Sequence, residues 1–192
     1  IGPRSGIKDS SNRVTERTLP GPLRDLVGAE VIGYDALGLE GDNAVRFEPD
    51  EERLAEAICA AHLWCDILRP FDARILARYT EDYYAGEAAI TIHRVGKGEV
   101  IYVGTVGNKD LYYLLTSWLT ARCGLGPLLK APEGVEVAVR ECKGTSYLFV
   151  LNHTDREQLV RVPYRCRDLL SERFVDDWAI IGPYDVYLLV AE

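Results

Sequence analysis

Residues 124–134 constrain the chain more than any other stretch, because eleven residues there hold three glycines and two prolines. Glycine loosens the backbone and proline removes an amide donor, so neither helix nor strand runs through such a segment. The sequence changes character across it. Beyond it, short runs rich in β-branched and aromatic residues fall at 135–140, 146–151, 158–162, 167–170, 178–181 and 186–190. Runs spaced by about ten residues, with turn residues between them and no helical period, predict a small antiparallel β domain. We place it at residues 127–192.

The preceding part reads differently. Residues 1–18 are polar and predict a loop. Leu19-Pro20-Gly21-Pro22 leads into a short helix at 23–27, and Gly28 supplies its stop. A β-type run at 30–34 is followed by a Gly- and acid-rich loop at 35–50 around one short strand at 45–47. Residues 51–69 satisfy two periods. Leu54, Ile58, Ala61 and Cys65 keep a helical face, which the local pattern favours, while Ile58, Ala60, His62 and Trp64 alternate as in a strand. A strand at 74–79 follows. Residues 88–95 and 100–104 form a hairpin turning at Gly96-Lys97-Gly98. Leu111, Leu114, Leu115, Trp118 and Leu119 repeat at helical spacing over 109–123, and Gly124 ends that helix.

Bulk properties remove several classes of function. The chain has 192 residues with a formal charge of −8 and a pI near 5.0, so neither nucleic acid nor an anionic membrane is an expected partner. No apolar run approaches the roughly 18 residues of a membrane span. The five cysteines are widely spaced without a CxxC pair, which fits reduced, mostly buried thiols and a cytoplasmic location. No methionine occurs, and the chain reads as a piece of a longer protein.

Candidate chemistry is sparse. His153 lies in Asn152-His153-Thr154-Asp155, whose residue types cap their own backbone in a tight turn; no Gly-x-Ser-x-Gly elbow accompanies it. His62, His93 and His153 stand apart, with neither HxH nor HExxH spacing, and no metal is expected. Neighbours such as Glu51-Glu52 and Asp176-Asp177 point apart and do not flank one glycosidic bond. Gly96-Lys97-Gly98 precedes a strand, not the helix a phosphate loop opens. No catalytic residue and no cofactor are expected. Two polar stretches remain as candidate contact surfaces. One is the loop with Arg4, Ser5, Lys8, Asp9 and Asn12. The other is Tyr79-Thr80-Glu81-Asp82-Tyr83-Tyr84, whose Tyr79, Tyr83 and Tyr84 combine an apolar ring with a polar tip.

Several stretches together resemble a known family. Arg4-Ser5-Gly6-Ile7-Lys8-Asp9 with Asn12 is similar to the RSGxKDxxN segment of glycoside hydrolase family 42 β-galactosidases. Leu19-Pro20-Gly21-Pro22-Leu23-Arg24, Trp64-Cys65-Asp66-Ile67-Leu68, Ala77-Arg78-Tyr79, Tyr83-Tyr84-Ala85-Gly86 and residues 96–105 follow in the family's order. Residues 147–154 and Asp168-Leu169-Leu170 resemble its terminal β domain.

The resemblance implies a catalytic barrel with two glutamates, which this sequence lacks. It also implies a middle domain of amidotransferase-like, flavodoxin-like α/β fold that drives trimer assembly, and a small β domain. On that basis residues 1–126 are expected to form a partial three-layer α/β trimerisation domain. The chain is expected to be a non-catalytic part of an enzyme that releases terminal β-D-galactose, with itself and the barrel as partners. The family pattern also favours a strand ending near Trp64 over the helix. Two other readings stay open. One is a carbohydrate-binding module using Tyr147, Tyr164, Trp178, Tyr184 and Tyr187. The other is an amidotransferase-like enzyme using Cys59 or Cys65.

Overall fold

Two long antiparallel strands organise the first part of the molecule. The structure, a computed structural model, describes residues 1–51, 53–126, 128–162 and 164–191. Glu52 of the adjacent acidic pair and the bounds 127 and 192 of the expected β domain lie outside the described residues. The chain divides into two units, Ile1–Gly124 and Leu125–Glu192.

In the first unit β1 (Ala29–Phe47) pairs with β2 (Ile58–Pro70), from Ala29 opposite Pro70 to Arg46 opposite Ile58. Val45, Phe47, Cys59, Ala61, Cys65 and Ile67 bury one face of this ladder, as alternation requires. The expected loop at 35–50 is therefore mostly strand. Its Gly- and acid-rich sequence hides this because the ladder is irregular there. The register shifts between Asp35 and Gly38 and again between Gly38 and Asp42, and Gly38 takes φ +73. The helix favoured by local pattern over residues 51–69 does not form. Ile58, which a helix would bury beside Leu54, is 55% exposed. The strand extends to Pro70, beyond the boundary near Trp64.

β3 (Arg74–Tyr79), β4 (Ala88–Val95), β5 (Gly98–Val103) and β6 (Thr105–Gly107) complete a sheet in the order β5-β4-β3-β1-β2-β6. β4 also bonds β2 at Ala88 opposite Leu68, so part of the sheet closes on itself. The hairpin of β4 and β5 stands where its glycines predict it. The expected three-layer α/β arrangement is not what forms: among the described residues the strand pairings are antiparallel. The short connections explain why. β4 and β5 are joined by Gly96 and Lys97 alone, whereas a parallel crossover needs a dozen or more residues.

Two helices pack on this sheet. α1 (Arg24–Val27) continues a 3-10 turn at Gly21–Leu23, and Gly28 caps it at φ +68. A β-carbon on Gly28 would lie 2.7 Å from the His93 ring, so both conformation and space demand glycine. α2 (Lys109–Arg122) starts where the Asn108 side chain accepts the Leu111 N–H at 3.0 Å, a side-chain N-cap. It buries Leu111, Leu115 and Trp118.

The second unit is antiparallel β throughout, as its spacing predicts. β7 (Val135–Cys142), β8 (Thr145–Asn152), β10 (Cys166–Asp168), β11 (Phe174–Val175) and β13 (Val186–Ala191) form a five-stranded sheet. β9 (Gln158–Arg161) and β12 (Trp178–Ile181) form a second sheet. Leu148, Val150 and Leu189 from the first meet Val160, Ala179 and Ile181 from the second in one core. Besides β2, the three-residue β6 and two-residue β11 are strands that periodicity misses.

Candidate functional site

The N-terminal loop is ordered by its own polar residues. The Asp9 carboxylate accepts the N–H groups of Ser11 at 2.8 Å and Arg13 at 3.0 Å. The Asp9 and Thr15 N–H groups donate to the carbonyls of Arg13 and Ile7, at 2.8 and 2.9 Å. Asn12 takes φ +62 at the tip, a conformation its side chain tolerates. Gly6, at φ +72, packs so closely that a β-carbon would lie 1.9 Å from the Pro20 carbonyl oxygen. Arg4, Lys8, Asp9 and Asn12 are exposed and Ser5 is half-buried.

Asp66 docks this loop onto the hairpin of β1 and β2. It is 1% exposed. Its carboxylate accepts the Trp64 indole N–H at 2.8 Å, the Tyr102 hydroxyl at 2.8 Å and the Arg4 backbone N–H at 3.3 Å. These neutral donors share the buried charge, which would otherwise be expensive to desolvate. Trp64 in turn stacks on Tyr34, with centroids 4.7 Å apart, and the Arg4 guanidinium lies 5.2 Å from its ring centre. In the sequence Trp64-Cys65-Asp66 stands out only as part of a family pattern. That a buried acid would organise the Arg4 loop is not visible in its spacing.

The tyrosine-rich stretch divides in two. Tyr79 and Tyr84 are 1% and 2% exposed, so neither ring offers a contact surface. The expectation is corrected for these two because Tyr79 at the end of β3 and Tyr84 in the turn after it both point into the core. The Tyr79 hydroxyl donates to the carbonyls of Asp66 and Gly104 at 3.0 and 3.2 Å, and Tyr84 donates to Asp35 Oδ2 at 3.0 Å. Burial pushes both phenols well above their ordinary range. Tyr83 between them is 77% exposed, with Glu81, Asp82 and Glu87 exposed around it. The Asn43 side chain holds this loop to β1 by donating to the Glu81 carbonyl at 3.1 Å.

The remaining polar candidates are structural. Asn152 donates to the carbonyls of Arg156 at 2.7 Å and Gly182 at 2.8 Å, and accepts from the Thr154 backbone and hydroxyl. His153 is left outside, 3.0 Å from Glu136 on an exposed edge. His62 pairs with Asp42 at 2.7 Å, and His93 lies 3.0 Å from the Leu26 carbonyl. The three histidines thus serve three separate places. Glu51 accepts the Trp118 indole N–H at 3.1 Å and pairs with Arg74 at 2.7 Å. Asp177 pairs with Arg161 at 2.8 Å. Cys59, Cys65 and Cys166 are buried free thiols, and burial raises their pKa; a raised pKa leaves little of the nucleophilic thiolate. Among the described residues no group of three His, Cys, Asp or Glu side chains is placed to hold a metal ion, and no helix is long and apolar enough to cross a membrane.

Arg4 and Tyr83 are exposed on ordered loops, and among the described residues the side chains gathered here set up no acid, base or nucleophile around a common point. Comparison with known proteins gives the family. Residues 1–125 match the family model described as the β-galactosidase trimerisation domain, and residues 134–191 match the β-galactosidase C-terminal domain. The chain belongs to glycoside hydrolase family 42, of which it represents these two domains.

Individual relatives agree. A β-galactosidase of Clostridium cellulovorans is 30% identical over 97% of this chain and 27% of its own length. One from Geobacillus is 34% identical over 90% of this chain and 24% of its own. The crystal structure of the β-galactosidase from Bacillus circulans sp. alkalophilus superposes with a TM-score of 0.87 at 33% identity, covering 100% of this chain and 28% of that one. The chain thus spans about a quarter of the length of the relatives it matches.

Proposed function

We propose that this chain is the assembly portion of a β-galactosidase that removes terminal β-D-galactose. It holds copies of the enzyme together as a trimer and contributes no catalytic group. The observation that carries this reading is the match of residues 1–125 to a trimerisation-domain model. The geometry supports it, because the exposed Arg4 loop and the Tyr83 loop are both braced from beneath by partly buried hydrogen bonds. In this reading residues 1–126 carry self-association, and residues 127–192 form the accessory β domain. The partners are further copies of the chain and the catalytic barrel. Hydrolysis itself, by two glutamates in a retaining mechanism, belongs to the barrel. The compartment that suits five unpaired thiols is the reducing cytoplasm.

Light scattering after gel filtration, over about a hundredfold in concentration, tests the reading. A stable trimer is expected; a monomer at every concentration contradicts it.

A further inference from the structure

The two candidate loops carry opposite charge. Residues 1–18 contain Arg4, Lys8, Arg13 and Arg17 against Asp9 and Glu16, four bases to two acids, in a chain whose overall charge is −8. Residues 80–87 contain Glu81, Asp82 and Glu87 and no base. Both loops are exposed. The Arg13 side chain is 78% accessible, Val14 is 69% exposed and Tyr83 is 77% exposed. Among the described residues no acid lies within ion-pair distance of Lys8 or Arg17, and no base within that distance of Glu81 or Glu87.

Their placement matters as much as their sign. Arg4 lies over Trp64, which stacks on Tyr34, whereas Tyr84 of the acidic loop bonds Asp35. Tyr34 and Asp35 are consecutive in β1, so their side chains leave opposite faces of the strand. The basic loop is thus docked on one face of the hairpin and the acidic loop is anchored on the other. A two-fold contact would set one patch against its own copy. Two different patches of opposite sign on opposite faces instead favour a head-to-tail contact, which a suitable rotation closes into a ring.

We infer that the basic loop of one copy seats on the acidic, Tyr83-bearing loop of the next. This rests on the trimeric assembly proposed above and names its contact surfaces. Tyrosine and arginine are the residue types that carry binding energy in such contacts, and the opposed charges set the orientation.

The test uses charge reversal in the intact chain, followed by sedimentation equilibrium. Lys8→Glu with Arg17→Glu, or Glu81→Lys with Glu87→Lys, is expected to raise the concentration needed for half-assembly by at least about tenfold. Combining all four substitutions restores attraction between the patches and should return assembly to within about threefold of the original. That rescue also shows that the substituted loops are folded. Raising salt from 0.05 to 0.5 M should weaken the unmodified assembly, because exposed charges are screened. If the unmodified chain never assembles, the trimer reading itself fails. If it assembles but both pairs of reversals leave it unchanged, or the fourfold variant fails to recover, the contact surfaces are elsewhere.

Discussion

Single residues fix the local shape of this chain through buried hydrogen bonds, and Asp66 is the clearest case. Replacing it with Asn keeps one acceptor oxygen but turns an amide toward the Tyr102 hydroxyl, the Trp64 indole or the Arg4 N–H. We expect Asp66→Asn to destabilise the first unit by about 2–3 kcal/mol and to speed hydrogen exchange at residues 4–6. Unchanged exchange there would show that Asp66 does not hold the loop.

Asp168 plays a similar part in the second unit. Burial alone would raise its carboxyl. The Ser171 hydroxyl and the N–H groups of Leu188, Leu170 and Ser171 outweigh that and lower it. A folded value below the unfolded one, about 3.9, adds stability above that pH, and the gain is lost as pH falls through the folded value. Asp168→Asn should therefore cost about 2 kcal/mol at pH 7 in urea unfolding, with the gap to the unmodified chain narrowing below about pH 4. An undiminished gap at low pH would contradict this. The sequence shows which residues are polar and turn-forming, and so places Asn152-His153-Thr154-Asp155 in a turn. It does not show that Asp66 and Asp168 are buried, because two of the three Asp66 partners lie 36 and 62 residues away and those of Asp168 reach up to 20 away.

At the scale of elements, local pattern succeeds where local forces decide. α2 has its cap, its buried stripe and its glycine stop in one contiguous run, and it appears as periodicity predicts. The hairpin of β4 and β5 is equally local. β1 and β2 are not: residues 35–47 become strand because β2 supplies the missing hydrogen bonds, and residues 58–70 become strand because β1 does. Long-range pairing overrides the helical stripe there. The α/β expectation for residues 1–126 rests on family likeness, whereas the connection lengths point to antiparallel pairing.

Two substitutions probe the element contacts. Gly28→Ala meets both a left-handed φ and the His93 ring, and should cost about 2 kcal/mol or more in thermal or chemical unfolding. A neutral result would mean that α1 shifts freely on β4. Arg122→Ala removes the paired contacts to Glu99 at 2.7 Å each that tie α2 to β5. The groups are about a third exposed, so the loss should be modest, about 1 kcal/mol, and smaller still in 0.5 M salt. A salt-independent loss would point to packing on Trp118 and not to charge.

The whole molecule is two β-rich units on one chain. In the function proposed above, these units organise an enzyme whose chemistry lies in the barrel. The chain alone should accordingly release no product from a chromogenic β-galactoside above the buffer background. Turnover that persists in a repurified sample would place a catalytic group within these residues. The most direct measurement is the molar mass of the intact chain in solution by native mass spectrometry. A species at three times the 21.5 kDa chain mass is expected. A monomer alone, across the accessible concentration range, would contradict it.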